Sequence, residues 1–594
     1  MFEIAGTIFT STNPGLFLIL GALLVPFVKA TPARAAVLVG APIIALLALL
    51  YVPEFGADRF TFHFMGFDLA PYRPDRVSRI FGFGFLIAAA LAGIYSLYRE
   101  DRLQDAAGLV YGGAATGAVF AGDFLTLIVF WEIASLASIV LVLARRTREA
   151  QGAAFRVILI QMLSGLALMG GAALYSSSIH TVVFSQMAPP DRLLVGLFDL
   201  NRPGAWLILA AAGIKAGFPL VHNWLTDAYP NTTPSGAVTM SAFSTTLGVY
   251  LLMRGYAGTP WLVWAGAAMT VYPVFFAVIE NDLRRVLAYS SNNQIGFMVC
   301  AIGMSGPLAI NGAAAHAVAH IIFKGLLFMS MGAVMLRTGT TRASELGGLH
   351  RSMPFTALFC IAGAISIAGL PLSAAFASKA MIMSSAEMGY APYVVWMMLL
   401  FASAGVLEHS GIKIPYFAFF GHDSGLRPRE APFPMLLAMG VAAALCVMIG
   451  FSPGWFYELL PYRDVALTYL ARELWSPSHL LVQGQLLAFA VLAFLLLKWT
   501  KTYPPEKPGV IIDVEWIWRA GAPRLLRILR RWLGPTAEVF AGGASALGAA
   551  VLFVSRQAFG PYTALSRRFP LALTTVWVVA ILSVVLITSL ASAR

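Results

Sequence analysis

Six ionisable side chains interrupt long apolar runs, and they are the residues of this sequence most able to do chemistry. A charge inside a membrane-spanning helix costs about 2.5–3.5 kcal/mol on insertion scales, so such residues are functional candidates. Carboxyl, amine and imidazole groups can bind and release protons when their surroundings shift their pKa values toward the ambient pH. The sequence predicts a proton-transfer chain of Glu132, Lys215, His316, His320, Lys324 and Lys413.

Three of these residues share one helix face. His316, His320 and Lys324 follow each other at intervals of four residues, which places them in one stripe along a helix. Two imidazoles and an amine on one stripe favour a hydrated proton relay. A His pair at this spacing also occurs in metal sites, but no carboxylate lies nearby in sequence. We therefore expect no metal ion and no cofactor.

Two short segments repeat the pattern of a lysine beside a helix breaker. Gly-Ile-Lys is followed by Pro219 in the segment 213–219 and by Pro415 in the segment 411–415. Proline removes a backbone donor and frees carbonyl groups, which could solvate a lysine ammonium at mid-membrane. The match predicts two inverted five-helix repeats, each with a broken helix, as in many transporters. A simple packing kink is the alternative at each proline.

The composition identifies a membrane as the surroundings of these residues. The chain has 594 residues, of which 59% are hydrophobic and 11% charged. Ordinary globular proteins contain roughly 25% charged residues, so a soluble fold of this size is excluded. Continuous apolar runs of about 20 residues exclude a β-barrel. They predict an all-α polytopic membrane protein with 14–16 transmembrane helices, and we interpret the first run as a span, not a signal peptide.

Basic residues outnumber acidic ones by 40 to 28, and the net charge is +12. Basic clusters follow the first, third, fifth and ninth predicted spans, the last cluster being Arg284-Arg285. Lysine and arginine collect in cytoplasmic loops, so this side is predicted to be cytoplasmic. The N-terminus is then expected outside, with the chain in the cell or inner membrane. No basic stretch is interleaved with aromatic residues, and we expect no nucleic-acid partner.

Several residues are weaker candidates. His222 lies seven residues after Lys215, which predicts the same helix face. Asp123, Lys379, Glu387 and Glu408 lie near predicted span ends, where solvation by the loop or the headgroup region is the simplest interpretation. Lys379 is kept as a supporting residue. The three cysteines, Cys300, Cys360 and Cys446, are far apart and lack CxxC spacing, which argues against iron–sulfur, zinc and disulfide sites.

The C-terminal region differs from the rest of the chain. It begins with a Pro-rich polar linker at 503–508 and continues with 523–533, where arginine alternates with apolar residues. Such a basic amphipathic segment suits a membrane surface or another protein of the same assembly. A Gly/Ala-rich stretch, 540–554, precedes a final span at 571–590. The predicted organisation is 1–100 N-terminal helices, 101–255 first repeat, 256–452 second repeat, 453–500 a further helix, and 501–594 an extension.

Three motifs together resemble one known family. They are His222-Asn-Trp-Leu-Thr-Asp-Ala-Tyr229, Glu280-Asn-Asp-Leu-Arg-Arg-Val-Leu-Ala-Tyr-Ser-Ser291, and His316-Ala-Val-Ala-His-Ile-Ile-Phe-Lys-Gly-Leu-Leu-Phe328. The family is the antiporter-like subunits shared by Mrp-type Na⁺/H⁺ antiporters and respiratory complex I, and the D-type branch of the Mrp proteins in particular. The resemblance spans about 80–455.

The resemblance implies a fold of about 14 helices with two inverted repeats and a hydrophilic axis at mid-depth. It implies that Glu132 is the family's glutamate, paired with Lys215. It further implies that His316, His320 and Lys324 form the relay of the second repeat, and that Lys413 is the last ionisable residue. The implied partners are other integral membrane subunits, H⁺ and Na⁺, and the lipid bilayer.

The sequence departs from the family pattern at three places. Thr246 stands where family members carry a lysine or histidine, before Gly248-Val249-Tyr250, and a threonine cannot hold a proton charge at neutral pH. Thr226 replaces a frequent proline, and the extension 501–594 is additional. The link between Lys215 and His316 is therefore expected to run through water or to be weakened.

The function expected first is a proton-translocating subunit of a multi-subunit cation/proton antiporter. Opening and closing of the pair of Glu132 and Lys215 would switch the lysine between holding and releasing a proton, which would then pass to Lys413. One alternative is a proton-pumping subunit of a complex I-like or hydrogenase-type oxidoreductase, where catalysis belongs to partner subunits. Another is a subunit of an inorganic-carbon-uptake complex. None of these makes this chain itself an enzyme.

Overall fold

The computed structural model describes residues 11–529, except 53–55, 57, 59, 65, 190–192, 505, 508 and 510. The predicted span 571–590 and the stretch 540–554 lie outside the described residues.

Two strands, β1 Phe60–Phe64 and β2 Phe67–Tyr72, form an antiparallel hairpin that the sequence did not predict. The α-helices are α1 Gly15–Leu24, α2 Thr31–Leu50, α3 Arg76–Ser96, α4 Arg102–Val119, α5 Phe124–Leu143, α6 Arg148–Ile179, α7 Ala205–Ala216, α8 Asn223–Ala228, α9 Pro234–Tyr256, α10 Pro260–Ile279, α11 Leu283–Met304, α12 Pro307–Thr338, α13 Pro354–Ala368, α14 Ala374–Ser385, α15 Tyr393–Val406, α16 Phe433–Phe451, α17 Gly454–Tyr457, α18 Arg463–Tyr469 and α19 Pro477–Trp499.

The all-α polytopic membrane fold is confirmed. Ten helices of the described part are long and apolar enough to cross a membrane, and three shorter helices are also apolar. Helices α9 and α12 are almost wholly buried within the protein, whereas α19 is mostly exposed. Helix α12, which carries His316, His320 and Lys324, therefore lies in the protein interior, whereas α5, which carries Glu132, is about half buried.

Two groups of five spans repeat the same order of elements. The first group is α4, α5, α6, the broken helix α7–α8, and α9; the second is α10, α11, α12, the broken helix α13–α14, and α15. The third helix of each group has 32 residues. Asp123 and Asp282 cap the second helix of each group and form equivalent β-bridges, to Val183 and to Arg342. Five spans reverse the direction of the chain, so the repeats are inverted.

The two helix breaks have the same local sequence. Ala216-Gly217-Phe218-Pro219-Leu220 separates α7 from α8, and Ala368-Gly369-Leu370-Pro371-Leu372 separates α13 from α14. In both segments the glycine and the final leucine have positive φ. A left-handed residue ends a helix, and the following proline prevents its continuation. The break therefore needs a glycine and a proline together.

The predicted break at Pro415 is wrong. Helix α15 continues through the π-helical turn Leu407–Ile412, the segment Lys413–Pro415 and a second π-helical turn, Tyr416–Phe420. A π-turn widens the helix and relieves the clash between proline and the preceding turn. The match between 213–219 and 411–415 therefore does not relate the two repeats.

The loops that carry the basic clusters lie together on one face. Arg145, after α5, donates to the carbonyl of Pro230, which follows α8. Asp282, after α10, forms a β-bridge with Arg342, after α12. Arg337 Nε donates to the carbonyl of Glu430, 2.9 Å away, in the loop after α15. This face is the one predicted to be cytoplasmic.

The described residues fall into two compact units that divide after Ile511. In the second unit, the described residues 515–529 are helical and include the π-helical turn Ile517–Gly521. Leu525, Leu526 and Ile528 are exposed there, and Arg524 and Arg527 lie on the same short helix. This part of the segment 523–533 has the expected alternation of basic and apolar residues; 530–533 lie outside the described residues.

Candidate functional site

Lys215 is fully buried in the last turn of α7, immediately before the first helix break. Its Nζ donates to Ser135 Oγ at 3.0 Å and to Gln161 Oε1 at 3.2 Å. The same ammonium lies 4.4 Å from the centre of the Trp131 ring, a distance at which a cation is attracted to an aromatic face. Helices α5 and α6 therefore position the lysine through neutral groups.

Glu132 lies on α5, three residues before Ser135, and is half-buried. Its charge acts on Lys215, but the lysine hydrogen bonds described above go to Ser135 and Gln161. The carboxylate packs directly against Gly165 of α6, where a Cβ atom would overlap Glu132 Oε1. Glu132 and Lys215 are thus close enough for their charges to interact, but their side chains do not form a direct hydrogen bond.

His222 does not share a helix face with Lys215, because α7 ends at Ala216. It is the N-cap residue of α8 and is buried, with its ring 4.9 Å from the ring of Tyr272 on α10. Trp224 Nε1 donates to the carbonyl of Ile214 at 2.9 Å. The same carbonyl accepts the backbone N–H of Gly217 at 3.2 Å, so the indole adds a second hydrogen bond at the end of α7.

Thr246 is fully buried on α9, and its Oγ1 has no hydrogen-bond partner among the described residues. Three consecutive amides of α11 lie between the two repeats. Asn292 Oδ1 lies 3.1 Å from the place that a Cβ on Gly217 would take. Gln294 Nε2 donates to Asn293 Oδ1, and Gln294 Oε1 lies 3.1 Å from His316 Nε2. Amide groups therefore extend from the first helix break to the second repeat.

The three relay candidates lie in the middle of α12 and are fully buried. His316 Nδ1 is 2.9 Å from Ser378 Oγ on α14. His320 has no hydrogen-bond partner on either ring nitrogen among the described residues, and the charge of Lys324 acts on it. Lys324 Nζ donates to the carbonyl of Leu287 at 3.1 Å. The predicted stripe is present, with a polar contact at each end.

Lys379 is not at the end of a span, and the prediction that placed it there is wrong. It lies on α14, the second half of the second broken helix, and is buried, with its Nζ 4.9 Å from the centre of the Phe297 ring. No hydrogen-bond partner for Nζ is found among the described residues. Its charge acts on His316, so it extends the buried cluster beyond the predicted stripe.

His409 joins the relay of α12 to Lys413. Its ring is fully buried and within electrostatic reach of Lys324, Lys379 and Lys413. Nδ1 lies 2.9 Å from Ser410 Oγ, which in turn donates to Ser290 Oγ of α11 at 2.7 Å. His409 is absent from the predicted path, although a histidine four residues before a lysine in an apolar run was a usable signal.

Lys413 lies at one end of the cluster, beside the C-terminal end of α10. Its Nζ donates to the carbonyls of Val278 at 2.6 Å and Glu280 at 2.7 Å, where α10 ends. A helix C-terminus carries partial negative charge that stabilises a cation. Glu506 Oε1 lies 3.0 Å from the same nitrogen. Lys413 is therefore the member of the buried cluster that borders the face with the basic loops.

The structure thus brings the candidates into two groups. Glu132 and Lys215 lie with Ser135 and Gln161 in the first repeat. The other group contains His316, His320, Lys324, Lys379, His409 and Lys413 in the second repeat. Among the described residues, no group of three or more His, Cys, Asp and Glu side chains could hold a metal ion.

Residues 121–407 match the protein family described as NADH:quinone oxidoreductase/Mrp antiporter, TM. The predicted resemblance to the antiporter-like subunits is confirmed over these residues. Both broken helices and the residues from Glu132 to Lys379 lie within this range. His409, Lys413 and Glu506 lie beyond its end.

Curated relatives of the chain include components of two kinds of antiporter. The A/B component of a probable K⁺/H⁺ antiporter of Rhizobium meliloti is 29% identical over 430 residues, which is 66% of this chain and 42% of the relative. The D component of the Na⁺/H⁺ antiporter of Alkalihalophilus pseudofirmus is 27% identical over 411 residues, or 64% of this chain and 81% of the relative. The chain spans about half the length of the first curated relatives it matches.

Two solved structures share the fold of the chain. A chain of the Mrp complex from Dietzia sp. DQ12-45-1b aligns with a TM-score of 0.66 and 19% identity, over 81% of this chain and 99% of its own length. A chain of the membrane-bound sulfane sulfur reductase, an archaeal respiratory membrane complex, aligns with a TM-score of 0.66 and 23% identity, over 96% and 99%. The chain is therefore a multi-pass membrane protein with the fold of these two matched chains.

Proposed function

We propose that the chain is a proton-translocating subunit of a multi-subunit cation/proton antiporter in the cell membrane, with its basic face in the cytoplasm and its N-terminus outside. The observation that carries the proposal is the buried second-repeat cluster, in which three histidines and three lysines lie within electrostatic reach of their neighbours. Burying this many ionisable groups in a membrane is costly, and proton transfer is the use that their chemistry supports best.

In this proposal a proton moves between the Lys215 group of the first repeat and the His316–Lys413 group of the second repeat. Buried polar side chains and water between the two groups pass the proton on. Lys215, held by Ser135 and Gln161, gives up its proton when the charge of Glu132 is drawn away from it. Because burial disfavours a charged ammonium, the neutral amine is accessible in this position. The amides of Asn292, Asn293 and Gln294 would orient water between Lys215 and His316, where Thr246 supplies no ionisable group.

A second candidate is a membrane subunit of a respiratory oxidoreductase. It is favoured by the 96% coverage of this chain in the alignment with the sulfane sulfur reductase complex, compared with 81% for the Mrp complex. In such a complex redox catalysis would belong to other subunits, and this chain would still transfer protons. The two candidates differ in what drives the proton.

Ion flux in everted membrane vesicles tests the proposal. Vesicles that contain the chain with its co-purifying subunits are expected to move protons when a Na⁺ or K⁺ gradient is imposed, and Glu132→Ala is expected to stop this movement. Proton movement that needs an electron donor and ignores both cation gradients would favour the oxidoreductase candidate. A cation-driven flux that survives Glu132→Ala would contradict the proposed path.

A further inference from the structure

The segment that follows α19 reaches back to the end of the buried cluster. Helix α19 ends at Trp499, and the backbone N–H groups of Thr502 and Tyr503 donate to the carbonyl of Leu497, each at 3.0 Å. This turn reverses the chain so that Tyr503 is buried and Glu506 lies against Lys413. Residues 503–506 were predicted to be part of a polar linker, and the described structure places Glu506 at Lys413 instead.

Aromatic packing and one short hydrogen bond fix this segment. The Tyr503 ring lies 5.3 Å from that of Phe494 and 6.3 Å from that of Phe417. Its hydroxyl donates to Glu408 Oε1 at 2.6 Å. Lys498 Nζ lies 5.0 Å from the centre of the Phe417 ring and 5.4 Å from that of Tyr503. The position of Glu506 is therefore set by the fold, not by a free loop.

Glu506 is an ion-pair partner of Lys413, and its Oε1 makes no hydrogen bond in the described structure, so a small reorientation of the pair would let it accept the Lys413 proton. The Lys413 side chain is 0% exposed and that of Glu506 is 7% exposed. The other acceptors of Lys413 are backbone carbonyls of Ala277, Val278 and Glu280, which cannot take its proton. Of the hydrogen-bond and ion-pair partners described for Lys413 Nζ, Glu506 alone carries an ionisable group.

Each of the two neighbouring carboxylates, Glu408 and Glu280, has one oxygen engaged in hydrogen bonds to other groups. Glu408 accepts the hydroxyl of Tyr503. Glu280 Oε1 accepts the backbone N–H groups of Asn281 and Asp282 at 2.8 and 2.9 Å. Burial raises the pKa of the Glu506 carboxyl, and the charges of Lys413 and Lys498 oppose this rise. Because these two effects on its pKa oppose each other, the Glu506 carboxyl group can both accept and release a proton.

A cavity of about 380 Å³ adjoins Glu506, and no member of the buried cluster is among its lining residues. Ser344, His422, Lys498, Lys501, Tyr503 and Glu506 are among its lining residues. At about 30 Å³ per molecule, this volume holds on the order of ten waters, and the charged lining favours their presence. Glu506 therefore lies between a buried ammonium and a space suited to water.

We propose that Glu506 transfers protons between Lys413 and the water of this cavity. In the outward step an N–H bond of the Lys413 ammonium breaks and an O–H bond of Glu506 forms, so both groups become neutral. Glu506 then releases the proton to water, and uptake follows the reverse order. This inference rests on the proposed proton-translocating function and adds the residue at which the path opens to solvent.

Proton flux in everted vesicles tests the transfer role. Glu506→Ala and Glu506→Gln are compared with Glu345→Ala, which removes an exposed carboxylate of a loop on the same face. Both Glu506 variants are expected to lower the flux about a hundredfold, at the lower end for a positioned proton-transfer group. Glu345→Ala is expected to leave it unchanged. Formate, a small weak acid, is expected to restore flux in Glu506→Ala in proportion to its concentration.

The outcomes separate this inference from the proposed function. Unchanged flux in both Glu506 variants, with flux lost in Lys215→Ala, would overturn the role of Glu506 and leave the proposed function standing. Lost flux that formate does not restore, in Glu506→Ala protein that still co-purifies with its subunits, would make the contact with Lys413 purely structural. Flux that survives both Lys215→Ala and Glu506→Ala would contradict the proposed function itself.

Discussion

Gly217 and Gly369 both adopt a left-handed backbone conformation, with φ of 82° and 76°, at the breaks of the two discontinuous helices. Each follows an alanine and precedes a proline by two residues. Lys215 lies two residues before the first glycine, and Lys379 lies ten residues after the second. The two breaks thus bring a buried lysine into each half of the candidate path from opposite directions.

A side chain at either glycine is expected to destabilise the protein. A non-glycine residue in the left-handed region costs roughly 1–2 kcal/mol, so Gly217→Ala and Gly369→Ala should each lower the midpoint of thermal unfolding in detergent. Gly108→Ala is the matched control, since no atom lies within 4 Å of its added Cβ and its φ is helical. Equal midpoints for all three variants would mean that the breaks do not need glycine.

Gly165 is expected to be essential for the position of Glu132. The added Cβ of Gly165→Ala would overlap Glu132 Oε1 and displace the carboxylate, whereas that of Gly170→Ala on the same helix meets no atom within 4 Å. A displacement of about 1 Å can lower a rate about a hundredfold. Proton flux of the two variants in vesicles checks this, and a normal rate in Gly165→Ala would remove Glu132 from the path.

His409 is expected to carry protons between Lys324 and Lys413. Glutamine can keep the hydrogen bond to Ser410 but cannot exchange a proton, so His409→Gln should lower flux about a hundredfold. His63→Gln changes an exposed histidine of the hairpin and is the control. If the two variants transport equally well, the path bypasses His409.

The loop that contains Asp423 is expected to loosen in acid. Asp423 accepts hydrogen bonds from Arg427 Nη1 and the backbone N–H of Gly425, each at 2.9 Å, and these lower the pKa of its carboxyl. A lowered folded-state pKa gives stability above the unfolded value of about 3.9, which is lost as pH falls through the folded value. The effect is small because the pair is exposed. Hydrogen exchange of the loop against pH measures it, and Asp423→Asn should remove its dependence on pH.

The sequence predicted the membrane class and the stripe on α12 because apolar runs and helical periodicity are local signals. It predicted the inverted repeats from the match of Gly-Ile-Lys followed by proline, which does not relate them, and so placed the second helix break at Pro415; Gly369 and Pro371, with the same spacing as Gly217 and Pro219, were the better signal. The contact of Glu506 with Lys413 could not be predicted from the sequence, because it joins residues 93 positions apart through a turn that no local pattern specifies.

Lys215 tests the central claim most directly, because it is the buried lysine at the first helix break. The measurement is cation-driven proton flux in everted vesicles that contain the assembled chain with Lys215→Ala, compared with Lys29→Ala, which removes an exposed lysine from the loop between α1 and α2. Loss of flux in Lys215→Ala with flux retained in Lys29→Ala is the predicted result. Equal flux in Lys215→Ala and the unaltered protein would contradict proton transfer along this chain of buried residues.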